Sequence, residues 1–356
     1  MRIALVHYSA PPVIGGVERV LAQQAKLLSR HGHEVIVVCG NVGAELEGAV
    51  VRGLADNDSL NGCDVVIVHN MLTMPFQWEA SQSLAACSRK MPDTRFINWV
   101  HDVDVSPEAF AALDLKATHV AVSKVRQREF CKALKIPLKQ CRVISNGVEV
   151  STLTEPTPGM VAYAARHRFQ ERECVLLHPT RVLARKNIEL GIEITAALRA
   201  RGVDALYVVT GAIDPHRKES AAYADLIHDL VEKQALQERV LFVSSEGKVE
   251  DADVQSLYML ADALLFPSKK EGFGLPLIEA TLHQLPVFCS DIPIHREVMG
   301  RAAHYLDLEA SPSVLADFIV ERLSRKPSRK TAQKLLERYS WERIYQDYLE
   351  PLLNEG

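Results

Sequence analysis

The sequence predicts an α/β protein of two domains, each a parallel sheet wrapped by helices. Three observations lead there. Short apolar runs alternate with longer stretches of helical periodicity, the pattern of strand–helix–strand crossovers. Several runs are apolar at every position, as strands covered on both faces must be. A chain of 356 residues exceeds what one core comfortably holds, and 47% apolar against 24% charged residues is a globular balance.

Taken in order, strands are expected at Arg2–His7, Glu34–Cys39, Asp64–His69, Arg95–His101, Thr118–Ser123 and Arg142–Ser145. Between the first two, Val17, Val20, Leu21 and Leu28 recur at helical spacing, and Gly32 closes that helix. Strands resume at Glu173–His178, Ala205–Thr210, Val240–Ser244, Ala263–Pro267, Pro286–Ser290 and Ala303–Leu306. The stretch Asn146–Arg168 shows no strand and carries Pro156, Pro158 and Gly159, so it reads as the connection between domains 1–155 and 156–340. From Trp341 to Leu353 the chain predicts an amphipathic helix that either caps the second domain or crosses back onto the first. Two such domains invite a ligand between them, at the carboxyl ends of both sets of strands.

Composition excludes several classes. A net charge of −4 gives no basis for nucleic-acid binding. No apolar run approaches the ~18 residues that span a bilayer, and the start, MRIALVHYSA, lacks the apolar core and cleavage site of a signal peptide. The cysteines, at 39, 63, 87, 131, 141, 174 and 289, are odd in number and widely spaced, which suits buried thiols and neither a disulfide framework nor a zinc site. A cytoplasmic setting is expected.

Two stretches of the second half carry chemistry. In His178-Pro-Thr-Arg-Val-Leu-Ala-Arg-Lys-Asn187, Arg181, Arg185 and Lys186 lie in a loop feeding a helix for which Asn187 is a suitable N-cap. Cations beside free backbone donors make an anion site, and a diphosphate is its natural guest. These residues alone leave a solvated charged loop as an equal alternative. In Pro267-Ser-Lys-Lys-Glu-Gly-Phe-Gly-Leu-Pro-Leu-Ile-Glu279, a strand ends, a glycine-containing loop follows, and Pro276 suits the first helical position. Gly272 and Gly274 let backbone approach a ligand, and Glu271 and Glu279 are placed to accept hydrogen bonds from two ends of an elongated substrate. Taken alone, Glu279 reads as a partner of the helix dipole.

Together these stretches resemble the catalytic domain of glycosyltransferase family 4, retaining enzymes of GT-B fold with two Rossmann-like domains. The Glu271–Glu279 spacing within EGFGLPLIEA matches that family's paired-glutamate motif, and its Arg–Lys pair falls on Arg181 and Lys186. Gly15-Gly-Val-Glu-Arg19 resembles its glycine-rich loop, and Trp99-Val-His-Asp102 its active-site histidine segment. Ser123 and Ser145-Asn-Gly-Val148 follow in the family's order, so the resemblance runs along nearly the whole chain. It implies that Arg181 and Lys186 neutralise a donor diphosphate, aided by the N–H groups of Phe273, Gly274 and Leu275. Glu271 would hold hydroxyls of the transferring sugar and Glu279 the ribose. Gly15 and Gly16 would approach the donor from the first domain, with Ser123 and Gly211 in the donor-binding set. His101 would line the reaction centre; by itself it also reads as a satisfied strand-end histidine.

The resemblance implies a nucleotide-sugar donor, a sugar-containing acceptor, no organic cofactor and no metal. Asp-x-Asp spacing occurs at Asp102–Asp104, Asp56–Asp58 and Asp251–Asp253, but Arg181 and Lys186 already supply positive charge for the leaving group. The segment Thr210-Gly-Ala-Ile-Asp-Pro-His216 resembles bacterial members near mannosyl transfer, which favours GDP-mannose over UDP-glucose. The basic run Lys124, Arg126, Arg128, Lys132, Lys135, Lys139 and Arg142, with Phe130, Leu134 and Ile136, reads first as a solvated helix face. Peripheral contact with anionic lipid is the second reading. The alternatives to transfer are a nucleotide-sugar-binding protein without turnover and a nucleotide-sugar epimerase of the same fold.

Overall fold

The computed structural model describes residues 1–13, 15–41, 45–54, 58–149, 154–211 and 218–355. The chain forms two compact units: Met1–Glu149 with Glu337–Gly356, and Val150–Leu336.

Unit 1 is built on seven parallel strands: β1 (Arg2–Val6), β2 (Glu34–Cys39), β3 (Val50–Gly53), β4 (Val65–His69), β5 (Arg95–Val100), β6 (Thr118–Ala121) and β7 (Cys141–Val143). Their order is β3-β2-β1-β4-β5-β6-β7. Each expected strand is present: Glu34–Cys39 has its expected bounds, and the others differ by one or two residues at one or both ends. The exception to the expectation is β3, an edge strand of four residues, none of them buried. A strand covered on one side only leaves no continuous apolar run to read.

Unit 2 repeats the plan with six parallel strands: β8 (Cys174–His178), β9 (Ala205–Val209), β10 (Val240–Phe242), β11 (Ala263–Phe266), β12 (Val287–Ser290) and β13 (His304–Leu306). Their order is β10-β9-β8-β11-β12-β13. In each sheet the succession of strands reverses direction once, between β1 and β4 and between β8 and β11. At such a point two neighbouring loops leave the carboxyl ends of adjacent strands and diverge, opening a crevice.

One element was not anticipated and one expected helix needs correction. The stretch read as the connection between domains holds no strand among its described residues but does contain an unforeseen helix, Pro158–Arg166. Thr157 caps it by accepting from Met160 N, and donates from Oγ1 to Asp253 Oδ1 at 3.1 Å. Pro158 stands in the first turn, where proline suits the start of a helix. The helix from Trp341 to Leu353 is interrupted by a π turn at Tyr345–Leu349, between Trp341–Ile344 and Glu350–Asn354.

This last segment packs on unit 1. Trp341 Nε1 donates to Gln23 Oε1 at 2.7 Å, and Val148 N to the Tyr339 carbonyl at 2.7 Å. A Cβ on Gly147 would overlap the Trp341 ring, so Gly147 in the Ser145–Val148 stretch makes the seat for the indole. Arg95 donates to the carbonyls of Leu352, Leu353 and Glu355, satisfying the acceptors that a helix end leaves open. All seven cysteines are free and all but Cys87 are buried. Burial pushes the thiols of Cys141 and Cys174 up to about 12. No helix among the described residues is long and apolar enough to cross a membrane.

Candidate active site

In unit 2 the loops after β8 and β11 are tied together at the reversal point. Lys269 N donates to the Arg185 carbonyl at 2.8 Å, and Arg185 Nη1 to the Lys270 carbonyl at 3.0 Å. Asn187 supplies a third tie: its Nδ2 donates to the Pro267 carbonyl at 3.1 Å. This corrects its expected part as a capping side chain. Asn187 sits in the left-handed region, φ 58°, with its amide turned inward to the other loop, so the helix Ile188–Ala200 starts without a side-chain cap.

These ties bring Lys186 Nζ to 2.6 Å from Glu271 Oε1, with Arg185 Nη1 3.5 Å from Oε2. Burial alone would raise the Glu271 carboxyl, but Lys186, Arg185 and a hydrogen bond from Ser268 outweigh it and hold the group at about 2. Burial lowers Lys186 against the pull of Glu271, and Arg185 and Arg181 lower it further. With the carboxyl so acidic, the shared proton belongs to Lys186. Arg181 is half-buried beside them. Three cations against one buried carboxylate leave the cluster with an excess of two positive charges, and that is an anion site.

The loop continues through buried Phe273 to Gly274, whose φ of 93° is strained for a residue with a side chain. Gly274 is the N-cap of the helix Leu275–Leu282 and leaves its first-turn N–H groups without a side-chain acceptor. Pro276 is the second residue of that helix, one later than expected. Glu279 lies one turn in, buried, where Tyr258 Oη donates to its Oε2 at 2.9 Å. Tyr258 is in turn stacked on His283, with ring centroids 5.5 Å apart. A Cβ on Gly211 would overlap the Thr180 carbonyl and Arg181 Cα, so glycine there lets the end of β9 press against the loop bearing Arg181. The rest of Thr210–His216, from 212 on, lies outside the described residues.

In unit 1, Gly15 precedes the helix Gly16–Arg30. A Cβ on Gly15 would overlap the Glu18 carboxylate, which accepts from Ser9 Oγ at 2.8 Å and stands 4.0 Å from His7 Nε2. At Gly16 a Cβ would meet nothing within 4 Å of this unit, which leaves the space beside it open. Ser123 is 1% exposed, and its Oγ accepts from Arg126 N at 3.0 Å as the cap of helix Lys124–Leu134. That hydroxyl is engaged inside the fold. His101 is 5% exposed, with Nε2 3.1 Å from His69 Nδ1. Burial, with His7 and Arg126 nearby, lowers it to about 3.

Asp102 is paired with Arg126 at 3.1 Å, and Asp253 caps its own helix by accepting from Glu250 N; Asp56 lies outside the described residues. The lipid-facing reading of the basic run loses its apolar half, because Phe130 and Leu134 are buried in a core cluster of unit 1. Arg126 is buried too, bonded to Asp102 and Glu129, and Arg142 is bonded to Glu355 at 2.6 Å.

Sequence reasoning missed His7, His69, Glu18 and Tyr258. A signal existed for the histidines. Leu-Val-His7, Ile-Val-His69, Trp-Val-His101 and Leu-Leu-His178 each close an apolar run with histidine. Tyr258 reaches Glu279 from another helix, which no local pattern announces.

The family model of group 1 glycosyl transferases matches residues 162–334, a span that holds Arg181, Lys186, Glu271 and Glu279. The mannosyltransferase WbdA of Escherichia coli is 43% identical over 76 residues, covering 21% of this chain and 9% of WbdA. The O-antigen chain mannosyltransferase RfbU of Salmonella typhimurium is 38% identical over 85 residues, covering 24% of this chain and 23% of RfbU. The chain thus spans less than a quarter of the length of these curated relatives. Anabaena HepE, solved in complex with UDP-glucose, superposes with a TM-score of 0.77 at 19% identity, covering 99% of both chains. Both units therefore have the Rossmann-like form of a GT-B fold, and the second unit matches the model of the group 1 glycosyl transferases.

Proposed function

We propose that the chain is a retaining glycosyltransferase that moves a hexosyl group from a nucleotide-sugar donor to a hydroxyl of a small glycoside or glycan acceptor, without a metal ion. The observation that carries this reading is the buried Lys186–Glu271 pair with Arg181 and Arg185 around it. Its excess of two positive charges complements a diphosphate that gains charge as it leaves. Glu271, ionised and fixed by Lys186, accepts from hydroxyls of the sugar, while the N–H groups of Phe273, Gly274 and Leu275 add donors to the phosphate. Glu279, oriented by Tyr258, accepts from the ribose.

The bond from the anomeric carbon to the diphosphate breaks, and a bond from that carbon to the acceptor oxygen forms on the same face. The acceptor proton passes to the departing phosphate. This route needs no covalent enzyme nucleophile and no organic cofactor. The names of WbdA and RfbU favour mannosyl transfer, hence GDP-mannose; the UDP-glucose bound to HepE keeps that donor as the competitor.

The test is transfer from GDP-mannose and from UDP-glucose to a panel of glycosides, with products identified by mass and NMR. The expected product is a glycoside of retained configuration, formed at a rate that EDTA changes by less than about twofold because side chains supply the charge. Donor converted without an acceptor would mean an epimerase. Nucleotide-sugar binding without turnover would mean a binding protein.

A further inference from the structure

Three histidines stand at the carboxyl ends of three adjacent strands of unit 1: His7 just after β1, His69 at the end of β4 and His101 just after β5. Their hydrogen bonds say where the protons sit. His7 Nδ1 is 2.8 Å from the His69 carbonyl, which can only accept, so His7 carries a proton on Nδ1. His69 Nδ1 is 3.1 Å from His101 Nε2. Burial holds both rings neutral, His101 at about 3 and His69 well below the ordinary imidazole range, so a single proton bridges them.

That proton has two possible owners. If it belongs to His101 Nε2, the neutral ring of His69 must carry its own proton on Nε2. Among the described residues His69 Nε2 is buried without a partner, so an N–H would be stranded there. Stranded buried N–H groups pay the full desolvation of a donor and are the rarer defect. If the proton belongs to His69 Nδ1, Nε2 is a bare lone pair.

The backbone beneath His101 is already fixed, because Asn70 Oδ1 accepts from the peptide N–H of His101 at 3.2 Å and of Asp102 at 2.7 Å. What remains is the ring, and His69 holds it. We propose that His69 is a positioning residue whose Nδ1–H donates to His101 Nε2 and keeps the His101 proton on Nδ1, so that His101 offers the transferring sugar a hydrogen-bond donor and not a base. The role toward sugar rests on the function proposed above; the proton assignment does not.

Long-range proton–nitrogen correlation spectra of the full chain with isotope-labelled histidine at neutral pH decide the assignment. Signals are identified by difference against His101→Gln and His69→Asn. The expected pattern is a protonated Nδ1 and a bare Nε2 on both rings, and a protonated Nε2 on His101 overturns the proposal. In transfer assays His69→Leu should lower kcat by about tenfold or more with little change in donor KM. His69→Asn, whose side-chain amide takes the place of Nδ1–H, should restore most of that loss. Equal losses in both variants, with the His101 tautomer unchanged, also overturn it. If the parent transfers no sugar from any donor, the functional reading fails, while the spectra still decide the proton.

Discussion

The two units share one strand order and gather polar residues at the same point of it, yet the Lys186–Glu271 pair of one and the His69–His101 pair of the other are buried in opposite states of charge. Unit 2 buries charge: Glu271 is held ionised at about 2 by Lys186 and Arg185. At the matching strand ends of unit 1 the buried pair is neutral: His69 and His101 are pulled down until neither carries charge near neutral pH. A buried charge persists only when paired and hydrogen-bonded, so the charged site takes two loops and several cross-loop bonds to assemble. An imidazole can be buried neutral on a single good hydrogen bond, so one neighbouring strand is enough. The division matches the two tasks in glycosyl transfer, neutralising a diphosphate and aligning uncharged hydroxyls.

The comparison breaks most readily at Lys186. Lys186→Ala should lower the transfer rate by about 10²–10³, the effect of losing one electrostatic stabiliser. It should also destabilise the protein by about 3–5 kcal/mol, because the Glu271 carboxylate loses its partner while buried. The double variant Lys186→Ala/Glu271→Gln should recover much of the stability and none of the rate. Thermal unfolding and initial rates check both, and activity within about twofold of the parent would remove Lys186 from the mechanism.

A smaller effect separates the two glutamates. Glu279→Ala should weaken binding of the free nucleoside diphosphate by about 1.5–3 kcal/mol, the worth of a hydrogen bond to a charged acceptor. Glu271→Ala should leave that affinity nearly intact while lowering transfer. Calorimetry with the nucleotide alone distinguishes them, and equal losses would mean that the donor lies the other way round.

The smallest effect sharpens the contrast in acid. His101 is lowered from the ordinary 6.5 to about 3, so the unfolded chain binds its proton more tightly than the folded one. Stability is then lost as pH falls below 6.5, down to about 3, by up to about 1.4 kcal/mol per pH unit for each such histidine. Glu271 is lowered from 4.5 to about 2, so its contribution is complete above 4.5 and fades only as pH falls toward 2. Between pH 6.5 and 5 the loss therefore comes from the buried imidazoles. All three tryptophans lie in unit 1, so urea unfolding followed by tryptophan fluorescence reads that unit. His101→Gln should flatten the slope in this range; an unchanged slope would mean that His101 titrates alike in both states.

How much was legible beforehand follows the same physics. Strands such as β4 and β8, buried at every position, announce themselves, whereas β3 at a sheet edge does not. The loops with Arg181, Lys186, Glu271 and Glu279 could be picked out because their spacing is local. What joins them was not legible. The inward turn of Asn187, the bond from Tyr258 to Glu279 and the link between His69 and His101 all span elements distant in sequence, and no periodicity records them. Phe130 and Leu134 left lipid contact open as a second reading for the opposite reason, since an apolar stripe between cations looks the same whether it faces lipid or a core.

The return of residues 337–356 to unit 1 bears on how the protein is made. Domains generally fold in the order in which they leave the ribosome. Here the first sheet emerges early, but the indole that fills the space over Gly147, and the helix end that Arg95 satisfies, are synthesised only after the whole of unit 2. The unit translated first is thus the last to be completed. During translation it waits with the seat at Gly147 uncovered until Trp341 arrives.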